Sequence, residues 1–149
     1  MRDAPKSARI GATDHEMRRS PVSTGPQLTL TTVNLSAPDP GVLARFYAAL
    51  LGWEITDEEP DWVMVRPPNG GVALSFERDV SYATPVWPST ASQQRMMMHL
   101  EVRVENLASS SAHAQACGAT LATYQPQDDV RVHLDPAGHL FCLWLAQQG

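Results

Sequence analysis

The chain states one pattern twice, and that repetition limits what it can fold into more than any other feature. Thr32-Val33-Asn34-Leu35 leads through Asp39-Pro40 into Phe46-Tyr47 and on to Leu51-Gly52-Trp53. Later, His99-Leu100-Glu101-Val102 leads through Asn106-Leu107 into an alanine-rich stretch and Cys117-Gly118. Each copy closes on a turn and a strand: Pro67-Pro68-Asn69-Gly70-Gly71-Val72-Ala73-Leu74 in the first, Asp135-Pro136-Ala137-Gly138-His139-Leu140-Phe141-Cys142 in the second. Repeated units of this size bury their apolar faces against one another. The pattern implies two strand-helix-strand-strand-strand modules, neither with enough apolar face to stand alone.

The local signals agree. Leu28 to Ser36 reads as a strand whose apolar parity switches, which predicts a bend or bulge near Thr31-Thr32. Asp39-Pro40 is a helix start, with an oxygen-bearing cap followed by a proline whose missing N–H costs nothing there. Leu43, Phe46, Tyr47 and Leu50 then recur on one helical face, and Gly52 supplies the left-handed stop. Trp53–Thr56, Trp62–Arg66 and Gly71–Glu77 read as strands. Arg78 to Arg95 is a polar linker carrying Trp87 between Pro85 and Pro88. Met97–Val104, a helix over Leu107–Cys117, and strands at Thr120–Tyr124, Val130–Leu134 and Leu140–Leu145 complete the second module. The expected class is α+β: two tandem βαβββ modules, about 27–78 and 96–146, forming an open, curved, barrel-like sheet around a cleft. They make a single domain over 27–147. Residues 1–26, rich in Arg, Ser and Pro, read as a disordered N-terminal arm without the apolar stretch of a secretory signal.

Composition narrows the function classes. With 149 residues and 43% hydrophobic content, the chain supports one core. A formal net charge of -5, with Lys6 the only lysine, argues against nucleic-acid binding, which needs clustered cations. No apolar run is long enough to span a membrane. Cys117 and Cys142 do not make a disulfide framework, so a reducing, cytoplasmic setting is expected.

Strand alternation locates the candidate site. If Leu100, Val102 and Val104 meet the helix, His99, Glu101 and Arg103 face the other way; likewise Val33 and Leu35 leave Thr32, Asn34 and Ser36 opposite. Three ionisable side chains in a row are poor core filler and should line a water-accessible concavity. Trp62 and Met64 share a strand face. Trp87, stiffened by its flanking prolines, is a candidate lid, and Met96, Met97 and Met98 form an adaptable patch for a ligand or a dimer partner. Cys142 reads as a buried thiol, with a Cys142–His99 nucleophile pair as the sharper alternative.

These stretches, from Asp39-Pro40 through Leu51-Gly52-Trp53 and from Asp135-Pro136 through Cys142-Leu143, resemble the vicinal oxygen chelate superfamily of glyoxalases, bleomycin-resistance proteins and extradiol dioxygenases. The similarity runs from about Leu28 to Leu145 and is strongest to the small glyoxalase-like proteins of high-GC bacteria. It implies paired modules curving around a ligand cavity, often in a homodimer. Metal-dependent members carry ligands on each module's first and last strands, which correspond to Thr32, Leu74, His99 and Cys142. Only His99 keeps a usual ligand, so no metal or other cofactor is expected. The resemblance therefore implies a protein binding a small organic molecule in an aromatic-lined cleft, of the drug-sequestering kind. The cleft residues would be Thr32, Asn34, Trp62, Met64, Phe76, Trp87, His99, Glu101, Arg103, Cys142 and Trp144. The alternative is a metal-dependent lyase, isomerase or dioxygenase with relocated ligands, among them Glu101 or His133.

Overall fold

The computed structural model describes residues 25–145. The expected N-terminal arm, save its last two residues, lies outside the described residues, as do positions 146–147 of the expected domain. The first module runs β1 (Thr32–Ala37), α1 (Pro40–Leu51), β2 (Glu54–Glu59), β3 (Trp62–Arg66) and β4 (Ala73–Arg78). The second runs β5 (Leu100–Val104), α2 (Leu107–Cys117), β6 (Thr120–Leu121), β7 (Val130–Leu134) and β8 (Leu140–Leu145). Each module folds into a four-stranded mixed sheet, ordered β1-β4-β3-β2 and β5-β8-β7-β6. In both, the first strand lies parallel to the last. The architecture is α+β, two tandem curved sheets without a closed barrel.

Both helices use the caps the sequence supplies. The Asp39 carboxylate accepts from Val42 N–H at 3.1 Å, and Gly52 closes α1 at φ 66°. The Asn106 side chain accepts from Ser109 N–H at 2.9 Å at the start of α2. Leu43, Phe46 and Tyr47 of α1, Phe76, Val63 and Val65 of the first sheet, and Phe141 and Leu143 of the second belong to one buried cluster with Leu107 and Ala114 of α2. Phe46 and Phe141 meet across the modules with ring centroids 5.9 Å apart. The helix-side faces of both sheets thus share one core, and their other faces look away from it. This is how two modules, each short of apolar surface, complete one another.

Several expected boundaries move for identifiable reasons. Leu28 and Leu30 are 90% and 69% exposed, outside any strand. Pairing starts where β4 starts: Thr32 opposes Ala73, and the Ala73 N–H on Thr31 O is the ladder's first bond. The expected bulge at Thr31-Thr32 gives way to a register shift in β2 between Ile55 and Asp57. In the second module β5 begins at Leu100, after an exposed Met97-Met98, and β6 is only two residues long.

Candidate functional site

The face of the second sheet that turns away from the core is roofed by the linker. Val132, Leu140 and Cys142 form a second buried cluster there, and Trp87 and Met96 of the linker pack against it. Beside them lies a cavity of about 390 Å³. Its walls include Trp87, Met96, His99, Glu101, Val130, Leu140, Cys142 and Trp144, with Gln127 and Asp129 from the loop before β7. Strand alternation produces the arrangement: Glu101 opposes Cys142, and Arg103 opposes Trp144, across the β5–β8 ladder. Trp87 meets Tyr124 at 5.5 Å between ring centroids, and the Trp87-Pro88 peptide is cis. Apolar walls with a few placed polar groups are the usual makeup of a small-molecule pocket.

His99 donates to the Glu101 carboxylate at 3.1 Å, so the two side chains form a polar pair at the cavity wall. Burial pushes the Cys142 thiol up from its ordinary pKa, and the Glu101 charge pushes it further the same way. A thiolate is disfavoured at this position, and among the described residues no hydrogen bond joins Cys142 Sγ to His99. The Cys142–His99 nucleophile pair therefore finds no support in the geometry.

The structure brings Trp87, His99, Glu101, Cys142 and Trp144 around one cavity and places the other sequence candidates elsewhere. Thr32, Asn34, Trp62 and Met64 belong to the first sheet's outward face, where Asn34, Ser75 and Met64 align across β1, β4 and β3. Asn34 lines a separate cavity of about 370 Å³ with Ser36, Tyr82, Arg95, Met96 and His139. Arg103 shares the β5 face but does not line the first cavity. Phe76 is a correction. It is fully buried on the helix side, its ring stacked on Tyr47 at 5.5 Å and 12°, so it belongs to the core and not to a cleft.

The metal expectation can be tested on the donors present. Leu74, which the resemblance aligned with a ligand position, points into the core. The residue that occupies the position of Cys142 in the first sheet is Ser75, opposite Asn34 as Cys142 is opposite Glu101. Thr32 and Ser75 thus lie on one sheet and His99 and Cys142 on the other. Among the described residues, no group of three His, Cys, Asp or Glu side chains is placed to hold an ion. A catalytic zinc site wants three protein ligands converging on the ion, and the described residues do not supply that set.

His133, a candidate relocated ligand, is fully buried on the helix side. Its Nδ1–H donates to Arg131 O at 3.3 Å, its Nε2 accepts from the Ser111 hydroxyl at 2.9 Å, and its ring stacks on Phe141. Burial lowers its pKa below the usual histidine value, against the opposing pull of the Arg131 carbonyl bond and with the Arg131 charge adding to the lowering. The folded chain holds this ring neutral, whereas the unfolded chain takes up a proton below an ordinary value of about 6.5. Stability should therefore fall as pH drops below that value, until the folded-state pKa is reached. Melting temperatures between pH 7.5 and 5 should decline less steeply in a His133→Gln variant; parallel declines would refute the assignment.

Sequence reasoning missed a buried polar centre. Asp135 Oδ2 accepts from the Tyr47 hydroxyl at 2.8 Å and from His139 Nδ1–H at 2.9 Å. Its Oδ1 accepts from Ala137 N–H and His139 N–H, both at 2.9 Å. Tyr82 of the linker closes the network with its hydroxyl 3.2 Å from His139 Nε2. Burial, then the Asp135 charge, raises the Tyr47 pKa well above the ordinary tyrosine value. The Asp135–His139 spacing in the β7–β8 turn was the one legible hint.

Two tandem βαβββ modules whose helices share a core, with a cleft on an outward sheet face, are the architecture of the vicinal oxygen chelate superfamily. The model of the glyoxalase-like domain family matches residues 32–144, and the chain belongs to that family. Among solved structures it is similar to a glyoxalase/bleomycin resistance protein/dioxygenase family enzyme from Burkholderia phytofirmans PsJN. That match has a TM-score of 0.62 at 17% identity and covers 80% of this chain and 100% of that one. A glyoxalase-related enzyme from Fulvimarina pelagi gives 0.58 at 20% identity, covering 80% and 89%. TnmS3, an antibiotic binding protein from Streptomyces sp. CB03234, gives 0.56 at 15% identity, covering 84% and 100%. At these identities the structures establish the fold. No curated protein sequence matches the chain.

Proposed function

We propose that the protein binds a small organic molecule in the cleft between the second sheet and the linker, without a resident metal, and that it acts by sequestration. The observation that carries this reading is the cavity itself: the indoles of Trp87 and Trp144, with an aliphatic floor of Val130, Val132 and Leu140, face the His99–Glu101 pair. Flat apolar walls suit a planar or polycyclic body, and the polar pair suits a hydrogen-bonding substituent. The antibiotic-binding protein among the structural neighbours supports a drug-like ligand as the class to try first.

We further propose a homodimer. The outer edges of β1 and β5 have no strand partner among the described residues, and Met97 and Met98 are 84% and 78% exposed. An unpaired edge beside a flexible apolar patch is a surface that a second copy would cover. Both thiols are free, which suits a cytoplasmic setting. No helix among the described residues is long and apolar enough to cross a membrane.

The test is native mass spectrometry of freshly purified protein, with metal analysis on the same sample. A co-purified organic mass without stoichiometric metal is expected, on a dimer. Trp87→Ala should weaken retention of that mass roughly tenfold or more, the loss typical of a central aromatic contact. A stoichiometric metal that disappears in His99→Ala would instead favour a metal-dependent lyase, isomerase or dioxygenase.

A further inference from the structure

We propose that Tyr82 is the positioning residue of the cleft, a hook that fastens the linker to the buried joint between the modules and so fixes where Trp87 stands. The inference rests on the reading of Trp87 as a cleft wall. The linker leaves β4 at Arg78 and must cross to the second sheet before β5 begins. On that path the Tyr82 hydroxyl donates to Ala137 O at 2.9 Å and meets His139 Nε2 at 3.2 Å, with its ring edge-on to the imidazole. The imidazole is not a loose partner. Asp135 holds it through both Nδ1–H and the backbone N–H, and the same carboxylate accepts from Tyr47 of α1. Tyr82 is thus tied to a buried polar centre that joins both modules.

Two neighbours strengthen the anchor. Thr84 lies directly over Gly138, where an added Cβ would stand 2.5 Å from Thr84 Cγ2. A side chain at Gly138 would press on the Thr84 methyl, and the backbone there, at φ 89°, already favours glycine. Beyond Thr84, Val86 N–H bonds Gln94 O at 2.9 Å, drawing the Trp87 loop closed, and Met96 packs on Val132 and Leu140. Trp87 follows Thr84 by three residues, a span of about 10 Å at most when extended. Along the chain Trp87 thus lies between the Tyr82 anchor and Met96, and its ring packs against Tyr124 and the Val132, Leu140 and Cys142 cluster. Burial, then the charges of Asp135 and Asp79, pushes the Tyr82 pKa up to about 12, so the hydroxyl keeps its proton and remains a donor at neutral pH.

Fluorine NMR on protein labelled with 5-fluorotryptophan tests the hook without any ligand. The chain has 4 tryptophans, each assignable by a single Trp→Phe replacement. In Tyr82→Phe the Trp87 resonance should shift or broaden, while those of Trp53 and Trp62 stay in place. Tyr47→Phe is the control. It removes a hydroxyl from the same carboxylate and costs stability, but it leaves both Tyr82 contacts intact, so Trp87 should not move. An unchanged Trp87 signal in Tyr82→Phe overturns the proposal, and so does an equal change in Tyr47→Phe, which would mean general loosening. If Trp87 moves as expected but Trp87→Ala still retains the co-purified mass, the hook stands and the binding reading fails.

Discussion

Asp135→Ala is expected to cost about 3–5 kcal/mol, the range for leaving buried partners of a charged group uncompensated. In a chain of this length that lowers the melting midpoint by roughly 10 °C or more. The Asp135 side chain is wholly buried and accepts four hydrogen bonds, two on each oxygen. Alanine strands the Tyr47 hydroxyl, two backbone N–H groups and the His139 ring in a site that water does not reach freely. Asp135→Asn keeps the shape but turns one acceptor into a donor, aimed at groups that themselves donate, and should fall between wild type and alanine. The measurement is urea unfolding followed by circular dichroism. A loss below about 1 kcal/mol, the scale of one ordinary hydrogen bond, would mean the network is not what joins the modules.

That joint explains why the fold was more legible than the site. The repeat, the Asp39 and Asn106 caps and the alternation of Leu100, Val102 and Val104 are local signals, and the helices and the β5 faces follow from them. The outward position of His99 and Glu101 follows too. The first module's last strand carries the same contrast, Leu74 and Phe76 alternating with Ser75 and Glu77, but a slip of one residue exchanges its two faces. Aligning Leu74 rather than Ser75 with Cys142 was such a slip, and Phe76 went to the cleft side with it.

The linker was illegible for a different reason. Tyr82, Thr84 and Trp87 follow no period, because each is placed by a contact with a distant segment: Ala137 and His139, Gly138, and Tyr124 respectively. Asp135-Pro136-Ala137-Gly138-His139 was recognisable as a turn, but nothing in it announces that Tyr47, distant in sequence, completes it. Leu28 and Leu30 failed in the opposite sense. They alternate like a strand, yet β4 begins only at Ala73, opposite Thr32, and offers them no partner.

Phe76→Ala separates core from cleft on the residue where the two readings conflict most. If Phe76 lined a ligand site, truncating it would weaken binding and scarcely touch stability. Its full burial and its stack on Tyr47 require the reverse: a loss of about 3–5 kcal/mol, the usual cost of deleting a core phenylalanine and leaving its cavity. The stack carries part of that, since offset aromatic pairs add roughly 0.5–1.5 kcal/mol beyond burial. Native mass spectrometry of the variant below its midpoint should still find the co-purified mass, because the cavity beside Trp87 and Trp144 draws no wall from β4. A variant of normal stability that had lost the ligand would move the site to the first sheet. That outcome would also make the Tyr82 hook irrelevant to binding. Stability lost with occupancy kept would place recognition on the second module and the linker that roofs it.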